Sequence, residues 1–212
     1  MKSIKNICTK VVLATAFCLA ALPFGVNAQN ANNGYAHVDW QFNAPLSNKF
    51  SDKASGWGMN FEGGYYVLPN FGIGAFISFH TNNEYIPTRT IQLNDHSAAT
   101  MDQQHSVFQL PFGAAFRYRF LPETYVVEPY IGLKMGAEYA RMSTYYNVYK
   151  MKDDSWGFTV SPEVGMSIFP TPDKSFGFHV ALYYSYATNK SDVLIYNLDG
   201  LNNIGFRLGV TF

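Results

Sequence analysis

A hydroxyl beside a histidine beside a carboxylate is a simple nucleophilic apparatus, because the base removes the proton that keeps the hydroxyl inert. The candidates here are poor. His105 and Ser106 are adjacent, so an extended backbone points them to opposite sides, and His179 is well separated from Ser185. Asp95, His96 and Ser97 are contiguous in a polar stretch with no pattern to fix their geometry. Each reads as an interior or loop residue. Metal binding fares no better, since the five histidines are dispersed and give no ligand spacing. Asp153-Asp154 and Asn197-Leu198-Asp199-Gly200 could touch Ca²⁺, but turns use such residues routinely. Gly63-Gly64 and Gly72-Ile73-Gly74 lack the strand-to-helix setting of a nucleotide loop, so no cofactor is expected.

A second set is more coherent. Asp39, Glu62, Glu138 and Glu163, with Arg117, Arg119, Lys134 and Arg207, all fall on the less apolar phase of alternating segments. Charges gathered on one buried face must be paired to be tolerated, and this set is balanced. Lys134 with Glu163, and Arg207 with Asp39, are the pairs expected from their similar heights on neighbouring strands. Such a set either lines a selective channel or plugs a narrow interior with ion pairs. The balance favours the plug.

The elements that carry these residues alternate with period two, the mark of a strand with two different faces. Ile204, Phe206, Leu208, Val210 and Phe212 interleave with Gly205, Arg207, Gly209 and Thr211. Phe178, Val180, Leu182, Tyr184 and Tyr186 repeat the pattern, as do Ile131, Leu133, Met135, Ala137 and Tyr139. Further rows run through Trp40, Phe61, Ile77, Phe116 and Val160, for eight strands in all. One face is nearly uncharged; the other is Gly, Ala and Ser with single charges between. Small residues leave room for a few long polar ones in a crowded barrel interior, and an uncharged outer wall suits lipid. The chain is 17% aromatic and 14% charged, against about a quarter charged in soluble domains. The links alternate too. Those near 44–56, 84–105, 142–155 and 188–201 are long and polar, whereas 68–71, 121–126 and 170–175 are short. The stretches Tyr139 to Met151 and Thr81 to Thr90 could extend their strands beyond the membrane and offer an edge to a partner.

Residues 1–28 stand apart. Lys2, Lys5 and Lys10 precede an apolar run from Val11 to Leu22, then Pro23, Gly25 and the cleavage-type sequence Val26-Asn27-Ala28. That is the layout of a secretory signal peptide, leaving 29–212 as the barrel domain. Cleavage removes Cys8 and Cys18, so no disulfide or thiolate site is expected. It also takes three of 15 basic residues and none of the 15 acidic ones, leaving a net charge of −3 that argues against nucleic acid as a partner.

Three features together resemble the small OmpA/OmpX-type outer-membrane β-barrel family: Phe212 closing an alternating strand, Pro129-Tyr130-Ile131-Gly132 leading into the fifth strand, and the count of eight. The resemblance spans the mature chain. It implies an all-β, eight-stranded antiparallel up-and-down transmembrane barrel with short periplasmic turns and longer extracellular loops. It also implies that Phe212 is read by the barrel-assembly machinery, and that outer-membrane lipid and lipopolysaccharide surround the wall. No peptidoglycan-binding domain is expected after Phe212. Small barrels of this kind include lipid A deacylases and palmitoyltransferases, but the histidine and serine spacings above do not match. The expectation is a non-enzymatic barrel serving surface interaction or envelope integrity, with an extracellular ligand at the outer loops. A narrow passive pore ranks second and a lipid A-modifying enzyme third.

Overall fold

The computed structural model describes residues 33–212, apart from 47–49, 95–96, 122–125, 147–148, 172–173 and 194–195. The expected leader therefore lies outside the described residues, as do Asp95, His96 and parts of two expected short links. Eight antiparallel strands follow in order: β1 (Gly34–Pro45), β2 (Gly58–Leu68), β3 (Phe71–Asn94), β4 (Ser97–Arg119), β5 (Val127–Tyr146), β6 (Tyr149–Ile168), β7 (Gly177–Val193) and β8 (Tyr196–Thr211). Each pairs with its sequence neighbour, and β1 pairs with β8 to close the ring. Closure leaves no unpaired edge within the ring, which a sheet in hydrocarbon requires.

Burial is inverted relative to a water-soluble protein. Trp156 is 67% exposed, Leu182 66% and Val164 62%, whereas Lys134 is 1% and Glu163 4% exposed. Lipid is the medium that reconciles bare apolar side chains with charges kept inside. Glycine does specific work on the inner face: a Cβ on Gly132 would stand 2.8 Å from Glu163 Cγ, and one on Gly165 2.8 Å from the Tyr130 ring. Those gaps let a long carboxylate and a tyrosine lie flat against the opposing backbone.

The outer half departs from the expected links, while Thr81 to Thr90 continues its strand as expected and Tyr139 does so as far as Tyr146. Links expected at 84–105, 142–155 and 188–201 are ladder for most of their length, with strands running to Asn94, Tyr146 and Val193 before the chain returns. Backbone pairing does not need apolar side chains, so the strands continue where the alternation stops. Above the wall β3 to β6 form one protruding sheet, while β6 and β7 separate, their mutual register ending at Thr159↔Ala187. Side chains clasp that gap. Thr188 Oγ1 accepts from Phe158 N at 2.9 Å, and Asn189 Nδ2 donates to Ser155 O at 3.1 Å and Glu138 O at 3.2 Å. Asn189 is aimed inward by a bulge, where Thr188 and Asn189 oppose Gly200, whose φ of 93° suits glycine alone.

Candidate functional site

Five of the eight predicted charges converge in the middle of the lumen, each from a different strand. Lys134 Nζ (β5) lies 2.7 Å from Glu62 Oε2 (β2) and 2.9 Å from Glu163 Oε2 (β6). Arg117 (β4) reaches Glu62 Oε1 at 3.0 Å and Glu163 at 3.9 Å, while Arg207 (β8) is ion-paired with Glu163. Arg117 also lies over the Tyr130 ring, 3.7 Å from its centroid, and Arg207 over Tyr183 at 4.1 Å. Aromatic faces thus cover the guanidinium planes that carboxylates leave bare. The expected Lys134–Glu163 contact is present.

The expected Arg207–Asp39 contact is not. The β1–β8 register sets Gln41 opposite Arg207 and Gly209 opposite Asp39, and Arg207 Nε donates to Gln41 Oε1 at 2.9 Å. Asp39 instead takes His179, with Oδ1 2.6 Å from Nδ1. On its other side His179 Nε2 lies 2.7 Å from the Tyr130 hydroxyl, which donates to Glu163 at 3.0 Å. The His37 ring lies 4.2 Å from that of His179, tilted by 32°, and meets Arg117 through Nε2 at 2.5 Å. Carboxylate, imidazole and hydroxyl in series resemble a nucleophile relay, but all three are buried in the lumen and the hydroxyl ends on another carboxylate. The chain ties β1, β5, β6 and β7 together.

The remaining two charges stand apart. Arg119 sits at the periplasmic rim, its Nε donating to Pro69 O at 2.6 Å, its Nη1 3.8 Å from Glu128, and Lys174 also pairing with Glu128. Glu138 is buried towards the outer end and makes no ion pair among the described residues. Phe212 exchanges two backbone hydrogen bonds with Ala36, at 2.9 and 3.0 Å, and packs its ring 5.8 Å from Phe176 on the outer wall.

The outer mouth is closed differently. Phe50, from the link between β1 and β2, is fully buried with Val107, Ala140, Met142, Leu198 and Leu201. Its ring stacks on His105 at 4.1 Å, and His105 Nδ1 lies 2.5 Å from Phe50 O. Burial pushes the His105 imidazole below its ordinary range, so the cap holds it neutral. Between cap and charge cluster, a cavity bounded by Ser78, His80, Ser161 and Arg207 measures about 10 Å³, room for about one water molecule.

The other candidates do not assemble into sites. Ser106 occupies the strand position after His105, facing the other side, and Ser185 Oγ accepts from Asn203 rather than meeting His179. Asp154 pairs with Arg141, Asp199 with Lys190, and Asp153 with the Ser191 hydroxyl. Among the described residues no three His, Cys, Asp or Glu side chains are grouped to hold a metal.

Sequence comparison agrees with this geometry. The family described as Outer membrane protein beta-barrel domain matches residues 11–212. The chain belongs to that family. It is a protein of the bacterial outer membrane. A search of curated proteins returns no match. Among solved structures it is similar to Neisserial surface protein A, at 14% identity over 84% of this chain and 95% of that one, with a TM-score of 0.48. It is also similar to Ail of Yersinia pestis, in complex with the heparin analogue sucrose octasulfate, at 14% identity over 85% and 99%, TM-score 0.44. OprG of Pseudomonas aeruginosa matches at 13% identity over 85% and 95%, TM-score 0.44.

For this family member, several residues that organise the lumen are aromatic or histidine rather than acid or base. Tyr130, Tyr183, His37 and His179 share the inward phase with the predicted charges, and that phase was the available signal. Phe50 had none, since it stands between polar neighbours in a link that shows no alternation.

Proposed function

We propose that this outer-membrane barrel is closed to solutes, performs no catalysis, and acts at the cell surface through what its protruding hairpins touch. The carrying observation is the double stop in the lumen: five charges locked in one cluster, and the Phe50 cap at the outer mouth. An eight-stranded ring leaves space inside for little beyond its own side chains. A hydrated ion would have to break the cluster and displace the cap.

The hairpins support contact by their faces rather than by adding a strand. The outer part of β3 carries Pro87 beside a break in register, and the outer part of β6 carries Lys150 and Lys152, all of which discourage edge pairing. Thr188, Asn189 and Ser191 of β7 occupy part of the remaining β6 edge. Tyr85, Gln104, Tyr145 and Lys150 instead form a row across four strands on an exposed face. Aromatic and amphipathic side chains of this kind are well suited to protein contact.

Planar-bilayer recording of the purified barrel tests the reading. The expected result is a silent membrane, and steady, voltage-stable single-channel steps would overturn closure. Mass spectra of lipid A from cells with and without the protein should be identical; a changed acyl pattern would overturn the absence of catalysis.

A further inference from the structure

We propose that the outer wall of β5 and β6, just above its aromatic girdle, binds a phosphate of an outer-leaflet phosphoglycolipid of the lipid A class. Leu110, Tyr139 and Trp156 form one cross-strand row on the lipid-facing side. The Tyr139 and Trp156 rings lie 5.3 Å apart, and aromatic pairs of this kind sit where hydrocarbon meets headgroups. Continuing outward in the same phase, the next rows are Phe108–Arg141–Asp154, Ser106–Ser143–Lys152 and Gln104–Tyr145–Lys150. The wall changes from apolar to charged within a single row, and the two rows above that carry lysine without a carboxylate.

Height decides which cations matter. Each row adds two residues, about 7 Å along a strand and about 5 Å along the membrane normal at the usual tilt. Arg141 and Lys152 thus lie about 5 and 10 Å above the girdle, within a headgroup layer some 5–7 Å thick once side-chain reach is included. Lys150, a row higher, rests over the Tyr145 ring at 4.6 Å.

Local charge is uneven. Arg141, Lys150 and Lys152 face outward against Asp154, and Asp153 is on the other side of the strand, bound to Ser191. Arg141 spends Nε on Asp154 at 2.7 Å and Nη2 on the Tyr139 hydroxyl at 2.6 Å, which fixes the guanidinium at the girdle with Nη1 still available. The Lys152 ammonium has no hydrogen-bond partner among the described residues. A planar donor fork beside a point cation, above an aromatic shelf, fits a phosphate whose acyl chains run down the wall.

The test uses the whole barrel in lipid nanodiscs, with native mass spectrometry counting retained lipid A in its bisphosphorylated and dephosphorylated forms. The wild type should retain the bisphosphorylated form preferentially. Arg141→Gln with Lys152→Gln should weaken that retention about thirtyfold, the scale of two charges near a lipid surface. Lys53→Gln, an exposed cation on the β1–β2 link, should leave it unchanged. Asp154→Asn, which removes the competing carboxylate, should strengthen it. Equal retention of both lipid forms, or wild-type retention in the double variant, would overturn the site. If the double variant fails to show the folded gel shift, Asp154→Asn decides, and retention no better than wild type overturns the proposal.

Discussion

Glu163→Gln isolates what the central cluster contributes, because it removes one charge and almost no volume. In the folded barrel Glu163 meets Lys134 at 2.9 Å, pairs with Arg207, accepts from Tyr130 at 3.0 Å and lies 3.9 Å from Arg117. Glutamine can still accept the Tyr130 hydrogen bond, so no cavity opens. Three buried cations would then face Glu62 and the His179-bound Asp39, with one positive charge uncompensated. On an exposed surface that loss would cost about 0–1 kcal/mol. At 4% exposure the cost is that of breaking a buried pair, about 3–5 kcal/mol. Urea titration of the barrel refolded in lipid vesicles, read by circular dichroism and by the gel shift between unboiled and boiled samples, measures it directly. Lys134→Met in the same chain restores neutrality, so the double variant should cost less than the sum of the singles by about 1–3 kcal/mol. A Glu163→Gln barrel within about 1 kcal/mol of wild type, or strictly additive singles, would refute the view that burial makes this cluster a single unit.

The other predictions address the cap and the seam. Phe50→Ala should cost about 3 kcal/mol in urea titration and expose the β1–β2 link to protease, while conductance stays absent because the charge cluster below is untouched. His105, above the girdle, has its pKa lowered by burial, so the unfolded chain binds its proton more readily than the folded one. Its contribution is therefore present above the ordinary histidine value of about 6.5 and is lost as pH falls below it. Protease sensitivity of the cap should rise from pH 7.5 to 5.5, and His105→Gln should flatten that rise. Asn189→Ala removes the donors that clasp β7 to Ser155 and Glu138 and should cost about 1–3 kcal/mol by the same titration, with faster amide exchange confined to the outer ends of β6 and β7.

Alternation assigns a face to each residue, and that is why the charges of the lumen were legible as one inward set. It does not assign a partner. Glu62 on β2 and Glu163 on β6 meet at Lys134 across the ring, and the choice of Gln41 rather than Asp39 for Arg207 follows from a register set by closure of β1 on β8. Neither quantity has a trace in one dimension. The cap was invisible for a different reason, since Phe50 has no periodic neighbours to reveal its direction.

The misplaced strand ends are more informative than an error of length. Alternation fades after Phe79, Tyr139 and Tyr186, yet β3, β5 and β7 continue to Asn94, Tyr146 and Val193. Side-chain pattern responds to the surrounding medium, whereas the ladder responds only to the geometry of its neighbours. The residue where the pattern stops therefore marks the edge of the hydrocarbon, and the residue where the ladder stops marks the reach of the hairpin. The distance between the two is the part of each strand presented to the outside. It is greatest on β3, where 15 residues follow Phe79 before the strand ends at Asn94, which singles out the β3–β4 hairpin as the element reaching furthest from the membrane.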